Sequence, residues 1–294
     1  MNVKRGKILK GIGGFYYVKT DIGLIECRAR GVFRNKSVMP YVGDNVTIEL
    51  SNDGTGYVTS IDERENYFIR PPIANVDLLL IVVAVSNPSP DLMFLDKMLI
   101  QAHHSGVKAI ICFNKSDLIS EDVDFSYIDI YKNLGYKVFI TSTYTGEGID
   151  KIKDAINGKV ISVCGFSGVG KSSLLNTILG KENLEVGEIS KKLSRGKHTT
   201  REVSLIEYDN GSYLADTPGF SSLALPDAIN KNNLKDYFIE FKSFENDCRF
   251  GDCLHITDKL CGVCEAVKSK KISQSRYNNY INLYETIKDK KEWK

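Results

Sequence analysis

The chain has no long apolar run. Its longest, LLLIVVAV at 78–85, is far too short to cross a bilayer as a helix. The opening MNVKRGKILKGIGGF holds no apolar stretch of the length a secretory leader needs. A cytoplasmic protein with no membrane partner is the expectation. A disulfide framework is also missing, since the seven cysteines are odd in number and unevenly spread. Cys27, Cys112 and Cys164 stand singly in apolar segments, as buried thiols do. Cys248, Cys253, Cys261 and Cys264 crowd together, which in a reducing compartment favours metal over disulfide. Net charge is nearly absent at +2, but the cancellation hides an uneven layout. Residues 1–36 carry nine Lys/Arg against two acids, and residues 266–294 carry eight against three. Basic ends around an acidic centre suit an anionic macromolecular partner, although solvated surface faces have the same composition. What remains is an ordinary globular complement, 42% hydrophobic and 26% charged, which argues against disorder. The 294 residues suffice for two or three domains.

Three textures follow one another along the chain. Residues 1–68 alternate apolar and polar positions around Gly and Asp-x-Gly turns, the mark of about five short strands and of a small OB-type barrel. RPPIAN at 70–75 reads as a linker, because Pro71 and Pro72 enforce extended backbone. From 73 to 224, continuously apolar strands alternate with amphipathic helices, which predicts a parallel sheet covered on both faces. From 225 to 294 the chain turns helical and polar around the cysteine cluster.

GFSGVGKS at 165–172 fits G-x-x-x-x-G-K-[S/T] between a strand and a helix. Gly165 and Gly170 let backbone N–H groups turn inward around phosphates, and the helix N-terminus adds its partial positive charge. Ser167, Gly168, Val169, Lys171, Ser172 and Ser173 complete the expected nucleotide contacts. Lys171 reaches the β- and γ-phosphates as a catalytic cation, and Ser172 offers its hydroxyl to Mg²⁺. DTPGF at 216–220 supplies an Asp-x-x-Gly after a hairpin, with Asp216 toward Mg²⁺ and the Gly219 N–H toward the γ-phosphate. Between them, LSRGKHTTREV at 193–203 lacks periodicity, as a segment ordered by nucleotide does. Thr200, or Thr199 beside it, would complete the magnesium shell there. The position that often holds a water-orienting Gln is Phe220, which cannot hydrogen-bond water. His198 is the candidate catalytic base in its place, with contact to RNA as the plain alternative.

Upstream, Asn114, Lys115 and Asp117 form an Asn-Lys-x-Asp tetrad after a strand. A carboxylate there accepts from guanine N1–H and the exocyclic amine, a donor pair that adenine lacks. TSTYTGEG at 141–148 follows the next strand and places Ser142 at the base. It departs from the Ser-Ala-Lys loop it resembles at Thr143 and Tyr144. The base-reading pieces thus precede the phosphate-reading pieces, which a sheet tolerates when it is cut at one surface loop and rejoined at another. Downstream, Cys248-x4-Cys253-x-His255-x5-Cys261 supplies three thiolates and an imidazole, a closed tetrahedral set for one structural Zn²⁺, with Cys264 able to stand in for Cys261.

NKSD, GFSGVGKSSLLN, GKHTT, DTPGF and the cysteine pattern together resemble the RsgA (YjeQ) family of circularly permuted, ribosome small-subunit-dependent GTPases, across nearly the whole chain. The resemblance implies a multidomain α/β protein made of an OB-type barrel, a circularly permuted P-loop GTPase domain and a mostly helical zinc-binding domain. It favours Cys261 over Cys264 as ligand. It implies GTP hydrolysis to GDP with Mg²⁺, stimulated by the small ribosomal subunit, in late maturation of that subunit and against its rRNA; a monomer is the expectation. The alternative is a nucleotide-dependent RNA-binding module with another RNA target and little intrinsic hydrolysis.

Overall fold

A computed structural model of the chain describes residues 2–30, 33, 39–69, 71–119, 125–180, 203–209, 211–216, 224–257 and 259–289. His198, Thr199, Thr200, Gly219 and Phe220 lie outside the described residues.

The alternating N-terminal segment forms β1 (Val3–Ile12), β2 (Phe15–Thr20), β3 (Gly23–Ala29), β4 (Asn45–Leu50) and β5 (Gly56–Ile61). They close into a barrel in the order β1-β2-β3-β5-β4, with β4 returning to β1 and β3 parallel to β5. Every second residue points inward, so Ile8, Val18, Cys27, Val46, Ile48 and Val58 fill the interior. The Pro71-Pro72 segment is not a free linker. It joins β6 (Tyr67–Phe68) to β7 (Ile73–Ala74), whose two residues are fully buried. Asn66 and Asn75 pin this joint through side-chain bonds to Val76 and Gly43. The apolar pair Ile73-Ala74 gains more from burial than the prolines lose by withholding N–H groups at a short edge.

The central sheet runs β10-β9-β8-β11-β13-β12. Its strands are β8 (Leu78–Ala84), β9 (Lys108–Asn114), β10 (Lys137–Thr141), β11 (Val160–Cys164), β12 (Ser204–Asp209) and β13 (Ser212–Asp216). All are parallel except β12, which forms a hairpin with β13. β8 and β11 are buried at every position, as strands covered on both faces are. Helices α1 (Leu92–His104) and α2 (Ser126–Asn133) cover one face through Leu95, Met98, Leu99, Ile128 and Tyr131. Helices α3 (Ile149–Ile156) and α4 (Lys171–Leu179) cover the other through Ile152, Ile156, Leu174 and Ile178. Edge strand β12 meets β1 at Ser204–Lys10, so barrel and sheet share one run of strands.

The C-terminal region holds 3₁₀ turns at Leu234–Tyr237, Ile239–Ser243 and Glu245–Asp247, then α5 (Gly262–Lys268) and α6 (Gln274–Ile287). Its core gathers Phe238, Phe241, Val263, Tyr280 and Leu283, and takes in Ile100 from α1. No helix among the described residues is long and apolar enough to cross a membrane.

Candidate active site and metal centre

Because β8–β11 and β13 run parallel, their carboxyl ends share one edge of the sheet, the edge where open α/β sheets bind ligands. The tetrad leaves β9, the Ser142 loop leaves β10, the Gly165 loop leaves β11, and Asp216 ends β13, paired in register with Val163. Segments far apart in the chain are neighbours there.

The contacts between them are direct. Asn114, fully buried, donates from Nδ2 to Val169 O at 3.0 Å and accepts at Oδ1 from Thr141 Oγ1 at 3.0 Å. Thr141 in turn meets Cys112 Sγ at 3.1 Å, whose thiol burial pushes up to about 12, so it stays neutral beneath the loop. Ser142 Oγ donates to Asp117 Oδ1 and accepts from the N–H groups of Tyr144 and Thr145, each at 3.1 Å. Asp117 is thereby held by the neighbouring strand's loop. Ser116 Oγ donates to Glu147 Oε2 at 2.6 Å, a second tie between the two loops that no motif announces. Lys115 takes a left-handed backbone (φ 68°), and its Nζ donates to Asn87 O.

In the phosphate loop, Gly170 has φ 92° and caps α4, and a Cβ there would overlap Asn114 Nδ2. Only glycine lets the loop and the tetrad approach this closely. Lys171 Nζ donates to Gly165 O and Phe166 O, both at 2.7 Å, holding the ammonium against the loop backbone. Ser167, Gly168 and Ser173 are exposed, Val169 is buried, and Ser172 is half-buried in the first turn of α4, which carries no acidic side chain. The positive end of the helix dipole would meet an anion there without competition from a carboxylate. Its hydroxyl is a hard oxygen donor, the type Mg²⁺ takes.

The second centre gathers Cys248, Cys253, His255 and Cys261, whose ligand atoms all lie within 4.8 Å of one another. A tetrahedron with metal–sulfur bonds of about 2.3 Å has sulfur–sulfur edges of about 3.8 Å. Cys248 Sγ lies 3.8 Å from Cys261 Sγ, and His255 Nδ1 lies 3.6 and 3.5 Å from these two sulfurs. Three backbone N–H groups, from His255, Gly262 and Cys264, point at the sulfurs of Cys253, Cys248 and Cys261 at 3.3–3.4 Å. Such donors favour thiolate, so the residues fit a closed metal site. Burial pushes the Cys253 and Cys261 thiols up to about 11 and pulls His255 down to about 4, leaving the imidazole neutral and able to ligate. Gly262 permits the fold, since a Cβ there would overlap Phe244 O and Asp247. Cys264 stands apart, against His255 O, Thr257 O and Tyr277 OH.

Residues 61–226 match the family described as RsgA GTPase, and residues 5–58 match the RsgA N-terminal domain. The small ribosomal subunit biogenesis GTPase RsgA of Caldanaerobacter subterraneus subsp. tengcongensis is 43% identical over 288 residues, which cover 98% of this chain and 97% of that protein. Its counterpart in Clostridium beijerinckii is 44% identical over 290 residues, covering 98% and 99%. Among solved structures, YjeQ from Thermotoga maritima superposes with a TM-score of 0.83 at 35% identity, covering 97% of this chain and 99% of that one. YloQ, a circularly permuted GTPase, gives 0.79 at 36% identity, covering 100% and 98%. A sheet in which β9 and β10 precede β11 in the chain yet open at the same carboxyl edge, with β8 between them, is what such a permutation leaves, and this chain belongs to the RsgA GTPase family.

Proposed function

We propose that this protein hydrolyses GTP to GDP and phosphate in the maturation of the small ribosomal subunit. Its family is one of GTPases, and its full-length relatives are named for biogenesis of that subunit. That naming does not favour the alternative of a non-hydrolysing RNA-binding module. The observation that carries the reading is the bond from Asn114 to Val169 O, which ties the tetrad to the phosphate loop across 55 positions of sequence. It supports one nucleotide reaching both.

In this reading Asp117 accepts from the guanine N1–H and exocyclic amine while Ser142 keeps its carboxylate in place. N–H groups of 165–173 surround the phosphates, and the Lys171 ammonium exchanges its carbonyl partners for phosphate oxygens. Ser172 and Thr200 hold Mg²⁺, which when bound with GTP offsets charge on the phosphate oxygens. Asp216 faces Mg²⁺ through water, the Gly219 N–H senses the γ-phosphate, and His198 orients or deprotonates the attacking water in place of a Gln. Cys248, Cys253, His255 and Cys261 hold one structural Zn²⁺, with no open position for chemistry. The working units are 1–68, 73–224 and 225–294. The basic barrel and the C-terminal unit contact rRNA of the subunit late in its assembly, and the protein acts in the cytoplasm as a monomer.

Multiple-turnover GTP hydrolysis with and without purified small subunits tests this. The expected result is an acceleration of at least about tenfold, or about 1.4 kcal/mol off the barrier. Equal rates would remove the subunit from the reading.

A further inference from the structure

Helix α1 belongs to two cores at once. Leu95, Met98, Leu99 and Ala102 pack into the sheet, and Ile100 packs into the C-terminal unit. Near its N-terminus, Phe94 packs on Phe166 of the phosphate loop, with ring centroids 4.5 Å apart. Phe166 is also the residue whose carbonyl accepts Lys171 Nζ. Two positions after Phe94, Asp96 is fully buried and receives three donors from elsewhere in the fold. They are Arg276 Nη1 at 2.6 Å, Asn279 Nδ2 at 2.7 Å and Tyr131 OH at 2.9 Å. Arg276, 2% exposed, turns its other edge to Glu240, donating from Nε at 2.7 Å and Nη2 at 2.9 Å. One residue further along α6, Tyr277 OH donates to His255 O at 2.9 Å, and a turn on, Tyr280 OH donates to Leu254 O. These carbonyls belong to the loop that carries the imidazole ligand.

A continuous path therefore runs from phosphate loop to metal loop: Phe166, Phe94, Asp96, Arg276, then α6 with its two tyrosines. The joints are one ring contact, between buried Phe94 and partly buried Phe166, and hydrogen bonds, and helices α1 and α6 span the gaps. Burying an Asp–Arg–Glu triad is a poor way to add stability, because its desolvation cost rivals its attraction. What such a triad does supply is directional geometry between two bodies.

We infer that Asp96 and Arg276 are positioning residues that couple the phosphate loop to the metal loop, so that occupancy of either site favours occupancy of the other. The inference rests on the nucleotide and zinc readings above. Linkage requires the effect to be reciprocal.

The test uses the full chain and two equilibrium measurements. Zinc affinity is determined by chelator competition with and without saturating GDP and Mg²⁺, and GDP affinity by calorimetry on zinc-loaded and zinc-stripped protein. Both should change by the same factor, at least about fivefold. In Asp96→Leu/Glu240→Met/Arg276→Met, which removes the whole triad, each site should still bind but the factor should fall to one. Should that variant not fold, Phe94→Leu cuts the path at its other end and should lower the factor too. A wild-type protein that binds both ligands with no mutual effect overturns the coupling and leaves the GTPase and zinc readings standing. A factor that survives the tested variant overturns the assignment to these residues. Absence of GDP or zinc binding in the wild type would instead strike the underlying readings, and the coupling with them.

Discussion

Asp117 shows how one hydroxyl can decide what a carboxylate reads. Ser142 Oγ accepts from two backbone N–H groups, which commits its own proton to Asp117 Oδ1. An Asn at this position would keep its oxygen toward Ser142 and turn its amide toward the base. Asp117→Asn is therefore expected to lower GTP affinity by at least about tenfold, the loss of a charged hydrogen bond. It should raise affinity for xanthosine triphosphate, whose carbonyl accepts from the amide. Competition binding with both nucleotides checks this, and unchanged guanine preference would refute the base assignment. Gly170 is constrained twice, by its positive φ and by Asn114 Nδ2 where a Cβ would sit. Gly170→Ala is expected to cost roughly 1–3 kcal/mol of stability and to abolish measurable GDP binding, as read by urea denaturation and calorimetry. At this scale the convergence of the tetrad and the Gly165 loop was legible, since Asn, Asp and Gly stand at fixed spacings. The ties from Ser116 to Glu147 and from Thr141 to Asn114 were not, because short polar side chains in loops carry no periodic signal.

Whole elements were legible where burial on both faces made their composition uniform, as in β8 and β11. They were less so where two signals competed. Pro71 and Pro72 suggested a linker, yet Ile73 and Ala74 pull the segment into the core as β7. Helix α1 was legible as an amphipathic helix, but its double allegiance was not. Nothing local distinguishes Asp96 from an ordinary solvent-facing acid, because its partner Arg276 stands 180 positions away. That partnership gives a prediction for the element. Arg276→Met alone leaves Asp96 and Glu240 in a buried site with no cation, Asp96 keeping only the neutral donors Asn279 and Tyr131, and should destabilise the fold by about 3–5 kcal/mol. Replacing all three residues by apolar ones should restore most of that loss. Urea midpoints of the two proteins decide it, and a single variant as stable as the triple would show that the triad is not electrostatically closed.

For the molecule as a whole, the joints matter more than the units. The barrel pairs with the sheet through β1 and β12, and α1 is shared with the C-terminal core, so the units are joined by packing as well as by the chain. The loop that carries Cys248, Cys253, His255 and Cys261 has few apolar residues of its own, and a structural metal bound there would supply folding free energy that so small a core cannot. Chelation should then act in a graded pattern rather than unfolding the chain at once. Amides of His255, Gly262 and Cys264, which bond the ligand sulfurs, should lose hydrogen-exchange protection first. Helix α6 should follow more slowly, because Arg276 and Asn279 still anchor it to Asp96. Strands β8 and β11 should keep their protection, buried as they are under helices that the metal does not touch. Exchange measured by mass spectrometry on zinc-loaded and stripped protein would separate these stages. Unchanged exchange at Gly262 and Cys264 would mean the thiolate cluster stands without metal, and the reason for gathering three cysteines and a histidine within one tetrahedron's edge lengths would have to be sought elsewhere.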